Sequence, residues 1–233
     1  MKKTILILLI VVSPFVAKST DTTKVFSRNA IYSVSGAFTE LDNWNAGREN
    51  SSNISFLISE NWVKKGPSFT TVHLLEGNYG LSRQAGTLTK NADRLEFTTT
   101  LTGSPKVTEW NLSSQFNVKT QMAPGYAKGD TTLIPVSNFG APIYGQFSFG
   151  VGNNSRENWQ LFLSPMAGKS TTVLDADLRD KAAFGVEAGA TWRLEAGAKI
   201  TLNYNQQFSD VFSVTAKSDI FYNYWGPVSA TDF

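Results

Sequence analysis

The fold class follows from the alternation of apolar and polar side chains along residues 192–205, which read WRLEAGAKITLNYN. Trp192, Leu194 and Ile200 fall on one side of this stretch, and Lys199 and Asn203 fall on the other. Successive side chains of a β-strand point to opposite faces, so an alternation of period two predicts a strand. The stretch is far longer than the mean strand of about 5–6 residues. It therefore predicts a long strand with one apolar and one polar face.

Eight other segments repeat this pattern, and no helical periodicity of useful length follows residue 20. The nine predicted strands are 30–38, 52–62, 68–82, 94–102, 108–121, 143–152, 158–164, 192–205 and 212–224. Their connections alternate between short and long. The long ones are 39–51, 83–93, 122–141 and 165–189. Because outer-membrane barrels have tight turns at one end and long loops at the other, we predict an all-β, antiparallel, up-and-down transmembrane β-barrel.

The polar face of these strands distinguishes a membrane barrel from a soluble one. A lipocalin-like barrel also alternates, but its apolar side chains point inward. Here the polar face is rich in Asn, Ser, Thr and Gln, and 17% of the residues are charged, against roughly 25% in ordinary soluble domains. Such a face suits a confined lumen better than a surface in water. We therefore expect the apolar face to contact outer-membrane lipid, with a secreted soluble β-barrel binding protein as an alternative.

The first nineteen residues have the pattern of a secretory signal peptide. Basic Met1–Lys3 precedes an apolar segment, and small residues including Ala17 and Ser19 precede the predicted cleavage site. Cleavage there removes three of the 21 basic residues and no acid, so 18 basic residues face 19 acidic ones. We expect 1–19 to be the signal peptide, 20–29 a periplasmic N-terminal tail and 30–233 the barrel domain. The predicted location is the bacterial outer membrane, reached by the general secretory route.

Composition excludes several classes of function. Without cysteine there is no zinc finger, iron–sulfur site or thiol catalyst. The single histidine, His73, shares the apolar face of its run with Phe69 and Leu75, where a catalytic base would point away from the lumen. The near-neutral mature chain lacks the charge that nucleic-acid binding requires. We expect a protein that is not an enzyme, without metal or cofactor, and without a nucleotide or nucleic-acid partner.

An odd number of strands conflicts with barrel architecture. Single-chain bacterial barrels have an even number of strands and both termini in the periplasm. Nine strands would end the chain on the extracellular side, so we expect a tenth, C-terminal strand to be missing from this sequence. A closing strand supplied by a partner, or a miscounted strand, is the alternative.

The last predicted hairpin carries a parity constraint. Its apolar residues are even-numbered on both strands, and directly opposed residues must face the same side. A two-residue turn at Ser209 and Asp210 would break this rule. We therefore expect a loop of three or five residues. With five, Lys199 opposes Asp219 directly; with three, Asn203 opposes Lys217 and the contact between Lys199 and Asp219 is diagonal.

Charged residues on the polar face form the predicted lumen set, and both signs are present in similar numbers. The set comprises Glu109, Lys119, Arg193, Glu195, Lys199, Lys217 and Asp219. Charges confined together are expected to pair, because an unpaired ion in such a space is costly. A barrel of about eight strands is just filled by side chains, so we expect a narrow or plugged lumen. A narrow selective pore or transporter for small solutes is the alternative.

Four blocks of the sequence carry a family resemblance. They are Asn43–Ser51 (NWNAGRENS), Lys119–Tyr126 (KTQMAPGY), Leu163–Lys169 (LSPMAGK) and Ala183–Val186 (AFGV). The chain resembles the Bacteroidota group catalogued as domain of unknown function 3078, over roughly residues 30–233. The resemblance implies a secreted outer-membrane barrel that continues past residue 233, and it implies no activity and no catalytic residues.

The long loops hold the predicted partner-binding residues. The candidates are Trp44, Arg48, Tyr126 and Phe184. The function predicted from the sequence is therefore a structural or binding role through extracellular loops, with another cell-envelope protein as a possible partner besides lipid.

Overall fold

The computed structural model describes residues 10–11, 25–39, 50–84, 86–103, 109–127, 134–156 and 158–225. The chain is almost entirely β-structure, and the nine predicted strands are all present. The strands are β1 (Ile10–Val11), β2 (Phe26–Thr39), β3 (Ser51–Lys65), β4 (Phe69–Gln84), β5 (Thr87–Gly103), β6 (Trp110–Thr120), β7 (Gly125–Tyr126), β8 (Pro135–Ser137), β9 (Ile143–Arg156), β10 (Trp159–Thr172), β11 (Trp192–Ser209) and β12 (Phe212–Asn223). Among these residues, no helix is both long and apolar enough to cross a membrane.

One antiparallel sheet contains the nine long strands in the order β2-β3-β4-β5-β6-β9-β10-β11-β12. Every long strand pairs with its neighbours along the chain, which confirms the predicted up-and-down meander. Within the described residues the sheet is not closed, because β12 at one end does not pair with β1 or β2 at the other. The two-residue β1 pairs with β2 at Gly36 and Ser35. β2 begins at Phe26, so residues 26–29 of the predicted tail belong to a strand.

On β6, β10, β11 and β12 most large apolar side chains point outward. On β11, Trp192 and Leu194 are each 60% exposed, whereas Lys199, on the opposite face of the same strand, is 6% exposed. The outward positions of β6, β10, β11 and β12 carry no Asp, Glu, Lys or Arg. This distribution is the reverse of a soluble barrel, in which the apolar residues fill the interior.

The connection between β4 and β5 differs from the sequence prediction. Residues 83–93 were expected to form a long loop, but β4 continues to Gln84 and β5 begins at Thr87. Gly86 has a φ of +82°, a conformation that glycine adopts without strain and that suits a tight hairpin turn. The register shifts between Gly80 and Leu81, where Asn91 of β5 has no residue opposite it on β4. Beyond this bulge, residues 81–84 and 87–90 continue to pair, so the hairpin extends into the segment predicted as a loop.

β10 also runs further than predicted, to Thr172 rather than residue 164. Pro165 lies at a shift in register toward both neighbouring strands. Proline lacks an N–H and is tolerated in sheets at such bulges. At the same point β9 approaches closely, and a Cβ at Gly150 would overlap the carbonyl oxygen of Leu163. β10 therefore continues through Pro165 by way of a bulge.

The last hairpin has a two-residue turn at Asp210 and Val211, so the predicted odd-length loop was wrong. A register shift between Gln207 and Ser209 leaves Phe208 as an extra residue. Because of this bulge, the strands keep the parity expected from their patterns, and Asn203 opposes Lys217. The predicted facing of both strands is therefore retained.

Two long connections pack together at the other end of the sheet. One holds the ribbon of β7 and β8, and the other holds the short helix α1 (Ala176–Asp180) and a 3₁₀ turn (Ala183–Gly185). Between them lies a small apolar cluster of buried residues. Its members are Ala141, Val173, Leu178 and Val186, with Ala183, Phe184 and Ala190 packed against them. We call this the loop cluster.

Candidate functional site: the polar interior of the sheet

Strands β4, β5, β6, β9, β10, β11 and β12 surround a polar cavity of about 720 Å³. A smaller cavity of about 280 Å³ adjoins it toward the long loops, and one of about 190 Å³ adjoins it toward the tight turns. Neighbouring cavities share lining residues, among them Gln146 on one side and Thr201 on the other. The inward side chains thus line a polar column along the strands.

Lys199 lies at the centre of the column. Its Nζ donates hydrogen bonds to Gln115 Oε1 on β6 and Gln146 Oε1 on β9, both at 3.0 Å. It also lies 3.5 Å from Asp219 Oδ1 on β12. One buried ammonium group therefore connects four strands, and these contacts compensate for removing its charge from water.

Asp219 joins Lys199 to the last strand. Lys217 Nζ lies 3.4 Å from Asp219 Oδ2, and Thr201 Oγ1 donates to Asp219 Oδ1 at 2.6 Å. The structure therefore brings Lys199, Lys217 and Asp219 of the predicted lumen set into one group. The Lys199–Asp219 contact is the diagonal one that the register requires.

Arg193 and Glu195 form a second group nearer the long loops. Arg193 Nη2 lies 2.9 Å from Glu195 Oε2, and Arg193 Nη1 donates to the carbonyl oxygen of Gly185 at 2.8 Å. Asn223 Nδ2 donates to Glu195 Oε1 at 3.0 Å. This group connects the 3₁₀ turn to the long-loop end of the polar column.

Two members of the predicted set stand apart. Lys119 lines the smaller cavity with Arg193 and Glu195 but forms no ion pair with a described residue. Glu109 precedes β6, in the connection at the tight-turn end, and is exposed. Glu109 therefore lies away from the groups around Lys199 and Arg193.

Four inward charges were missed from the sequence. Arg94 on β5 lies 3.1 Å from Glu76 Oε2 and 3.6 Å from Glu96 Oε2, and Lys169 lines both larger cavities. Lys169 was missed because the alternation predicts that β10 ends at residue 164, which places Lys169 in a loop. Glu76, Arg94 and Glu96 belong to strands with weaker alternation, although their even parity with Val72 and Thr98 could have identified them.

His73 lies on the outward face of β4. Its Nδ1 is 2.9 Å from Thr99 Oγ1, and its ring stacks on Phe97 with 6.1 Å between the centroids. Val72, Leu74 and Glu76, of opposite parity, line the cavity. His73 thus has no access to the polar column. Within the described ranges, no group of three His, Asp or Glu side chains is placed to hold a metal ion.

The predicted partner-binding residues differ in how exposed they are, and two of them lie outside the described residues. Tyr126 lies on β7 and is 50% exposed, whereas Phe184 is half-buried against the loop cluster. Phe184 has a φ of +58°, which is uncommon for an aromatic residue and indicates a locally constrained backbone. Trp44 and Arg48 lie outside the described residues.

Asp175 is a structural residue of this end that the sequence patterns did not identify. It caps α1 by accepting a hydrogen bond from the Leu178 N–H at 3.1 Å, and it accepts another from Asn138 Nδ2 at 3.0 Å. The Asn138 hydrogen bond, followed by that of Leu178, lowers the pKa of the Asp175 carboxyl. This carboxylate therefore joins the two long connections.

Residues 38–126 match the model of one protein family, DUF3078, described as a protein of unknown function. The match confirms the resemblance to this family over residues 38–126, a range that contains two of the four sequence blocks, 43–51 and 119–126. No curated protein and no solved structure matches the chain.

Proposed function

We propose that this protein is a bacterial outer-membrane β-barrel protein that is not an enzyme and acts through its long-loop end. The observation that carries the proposal is the outward apolar face. Over β6, β10, β11 and β12, described charged side chains such as Lys199 point inward, and the outward positions are uncharged. In hydrocarbon, outward charges are costly and backbone groups must be paired between strands.

A soluble binding barrel accounts less well for these facts. Its interior would have to be filled by apolar side chains to supply the hydrophobic stabilisation of the fold. The interior here holds ion pairs, and Phe147 and Leu112 are 49% and 54% exposed on the outside. Lipid is the environment that buries such a surface.

We further propose that one more strand closes the gap between β12 and β2. Both strands are long, and in the part of the chain that the structure describes their outer edges pair only at the β1 contact with Gly36 and Ser35. An unpaired edge is unstable in lipid, because its N–H and C=O groups lack partners. A tenth antiparallel strand gives the even number typical of single-chain bacterial barrels.

The long-loop end has the features of a partner-binding surface. Several of its large apolar side chains are 45–62% exposed, namely Tyr126, Ile134, Val136, Phe139 and Leu174. They lie next to the loop cluster, which holds the two connections in a defined arrangement. Exposed apolar groups on a firm support are typical of protein interaction sites. We therefore propose a partner in the cell envelope.

Membrane fractionation tests the location. The protein, expressed with its N-terminal segment in a Gram-negative host, is expected to sediment with outer membranes and to resist alkaline carbonate extraction. Only detergent should release it. Release into the aqueous fraction without detergent would refute the membrane assignment and favour the soluble barrel.

Co-purification tests the role of the loop end. The protein is purified in mild detergent, and envelope proteins that accompany it are quantified by mass spectrometry. The double variant Tyr126→Ser, Phe139→Ser is expected to lose a partner that the parent retains. Phe212→Ser, which alters an exposed phenylalanine at the opposite end, is the control. Equal retention by the parent and the double variant would contradict the proposal.

A narrow pore is the second candidate, favoured by the column of three polar cavities. Planar-bilayer conductance of the refolded protein measures it. Stable single-channel steps that change when Lys199 is replaced would support transport. If protein that is shown to be inserted gives no single-channel steps, the pore is refuted and the binding role is the remaining candidate.

A further inference from the structure

We propose that the smaller cavity at the long-loop end binds a small oxyanion, that is, the phosphate or carboxylate group of a solute. The cavity, about 280 Å³ in volume, is lined by Lys119, Lys169, Arg193 and Glu195 among its charged residues. The inference rests on the proposed function in one respect, because the barrel makes this cavity the outer mouth of the lumen.

The charge balance of this cavity favours an anion. Three cationic side chains line it, against a single carboxylate. That carboxylate, Glu195, already accepts hydrogen bonds from Arg193 and Asn223. Among the charged side chains that line the cavity, cations therefore outnumber carboxylates. A buried or confined site with excess charge of one sign attracts a counter-ion.

Lys119, rather than Arg193, is the group that would hold the anion. Arg193 Nη2 already donates to Glu195, and Arg193 Nη1 donates to the carbonyl oxygen of Gly185. Lys119 forms no ion pair with a described carboxylate, whereas Lys169 has interactions of its own, including the contact of its Nζ with the ring of Phe221 at 4.1 Å. An ammonium group acts as a compact point charge with three donors, which suits an oxyanion without demanding one geometry.

Neutral donors complete the site. Tyr144, Ser170 and Thr171 also line the cavity. Lys119 opposes Tyr144 across β6 and β9, and Thr171 opposes Tyr144 across β9 and β10, so these side chains converge from three adjacent strands. Their hydroxyl groups can donate to oxygen atoms. The cavity also adjoins the central one at Lys169, which gives a bound solute room for a longer organic part.

The test is isothermal titration calorimetry of the protein in a zwitterionic detergent at low ionic strength, with inorganic phosphate and acetate as probes. The parent is expected to bind at least one of the two, and the stronger binder identifies the oxyanion class. Lys119→Gln should weaken that binding by about tenfold, the scale of a lost charge-assisted hydrogen bond. Lys65→Gln, which removes an exposed charge at the opposite end, should not change it.

Glu195→Gln separates an electrostatic site from structural damage. It removes the one carboxylate of the cavity with little change in shape, so the affinity for the oxyanion should rise by several-fold. A loss of folding would lower it instead. Binding of neither probe by protein with a normal β-sheet circular dichroism spectrum would overturn the inference. So would equal weakening by Lys119→Gln and Lys65→Gln.

The fractionation experiment and the calorimetry test two proposals that can be refuted independently. Phosphate or acetate binding is measured in detergent and does not depend on where the protein resides. A folded protein that fractionates with outer membranes but binds neither probe would refute only the oxyanion site. A soluble protein that binds one would refute only the membrane assignment.

Discussion

The interior of the sheet and the loop cluster are built on opposite principles. Around Lys199 the contacting side chains are polar or charged, and they are connected through hydrogen bonds and an ion pair. In the loop cluster, Val173 and Val186 are 0% and 2% exposed and are surrounded by apolar neighbours. Within the described residues, the main cluster of buried apolar side chains therefore lies in the connections, whereas β6, β10, β11 and β12 direct most of their apolar residues outward.

A charge should therefore be tolerated in one region and not in the other. Val173→Asp places an unpaired carboxylate in the loop cluster and should destabilise it by about 3–5 kcal/mol. Asn203→Asp adds a carboxylate opposite Lys217 in the interior and should be nearly neutral. Limited proteolysis of residues 173–191 measures the first effect, and thermal unfolding measures both. A similar loss from the two variants would remove the distinction.

The outward and inward faces of one strand allow a sharper comparison. Ile200→Lys puts a charge on the outward face and should reduce the free energy of folding into vesicles by about 2–4 kcal/mol. The neighbouring Thr201→Lys faces the cavity and should cost only about 1 kcal/mol, because it loses the hydrogen bond to Asp219. Urea titration in lipid vesicles measures both. Equal costs would mean that the outer face does not contact lipid.

Two lysines that share a carboxylate test what burial contributes inside the column. Lys199→Met leaves two partly buried glutamine oxygens and Asp219 without their donor, and should cost about 1–3 kcal/mol. The Lys217 side chain is 68% exposed, so Lys217→Met should cost about 0–1 kcal/mol. Denaturant unfolding in detergent compares them. If Lys217→Met proved the more damaging, the central role of Lys199 would be wrong.

The smallest effect is expected from the cap that joins the two long connections. Hydrogen bonds from Asn138 and Leu178 lower the pKa of Asp175, so its carboxylate stabilises the folded loops. This stabilisation is present above the pKa of an unfolded aspartate, about 3.9, and is lost as pH falls through the lower folded value. Asp175→Ala should cost about 1 kcal/mol at neutral pH.

The control for the cap is Asp175→Asn, because asparagine caps helices equally well but does not titrate. It should retain most of the stability at neutral pH and lose the part of the acid dependence that Asp175 supplies. Asp180→Asn, an exposed acid in the same connection, should change neither. Protease susceptibility of the 173–191 connection between pH 3 and pH 7 reports the outcome, and an unchanged acid profile in Asp175→Asn would contradict the assigned role.

The strands and their facing could be predicted because both depend on local pattern. Alternation in 192–205 correctly placed Lys199 inward and Ile200 outward, and the family resemblance agreed with the match over residues 38–126. The extents of two strands could not be predicted in the same way. Pro165 and the polar segment 83–93 resemble strand ends, and only bulges supported by Gly150 and Asn91 let the strands continue.

The candidate site was predicted in composition but not in arrangement. Parity identifies Lys199 and Asp219 as inward neighbours, yet it cannot show that Lys199 reaches Gln115, 84 positions away in sequence. Nor can it show that Lys119 lies beside Lys169 at the mouth. These contacts depend on how strongly the sheet curves, which is a property of all its strands together.

By itself, the sequence determined the number of long strands, their antiparallel order and, for β6, β11 and β12, which side is apolar, because the period of two is present in the sequence of each of these strands. Tertiary structure alone decided the bulges, the four-strand contacts of Lys199, the excess of positive charge at the mouth and the packing of the loop cluster. Each of these requires residues that are distant in the chain to meet, and a local alternation carries no information about that distance.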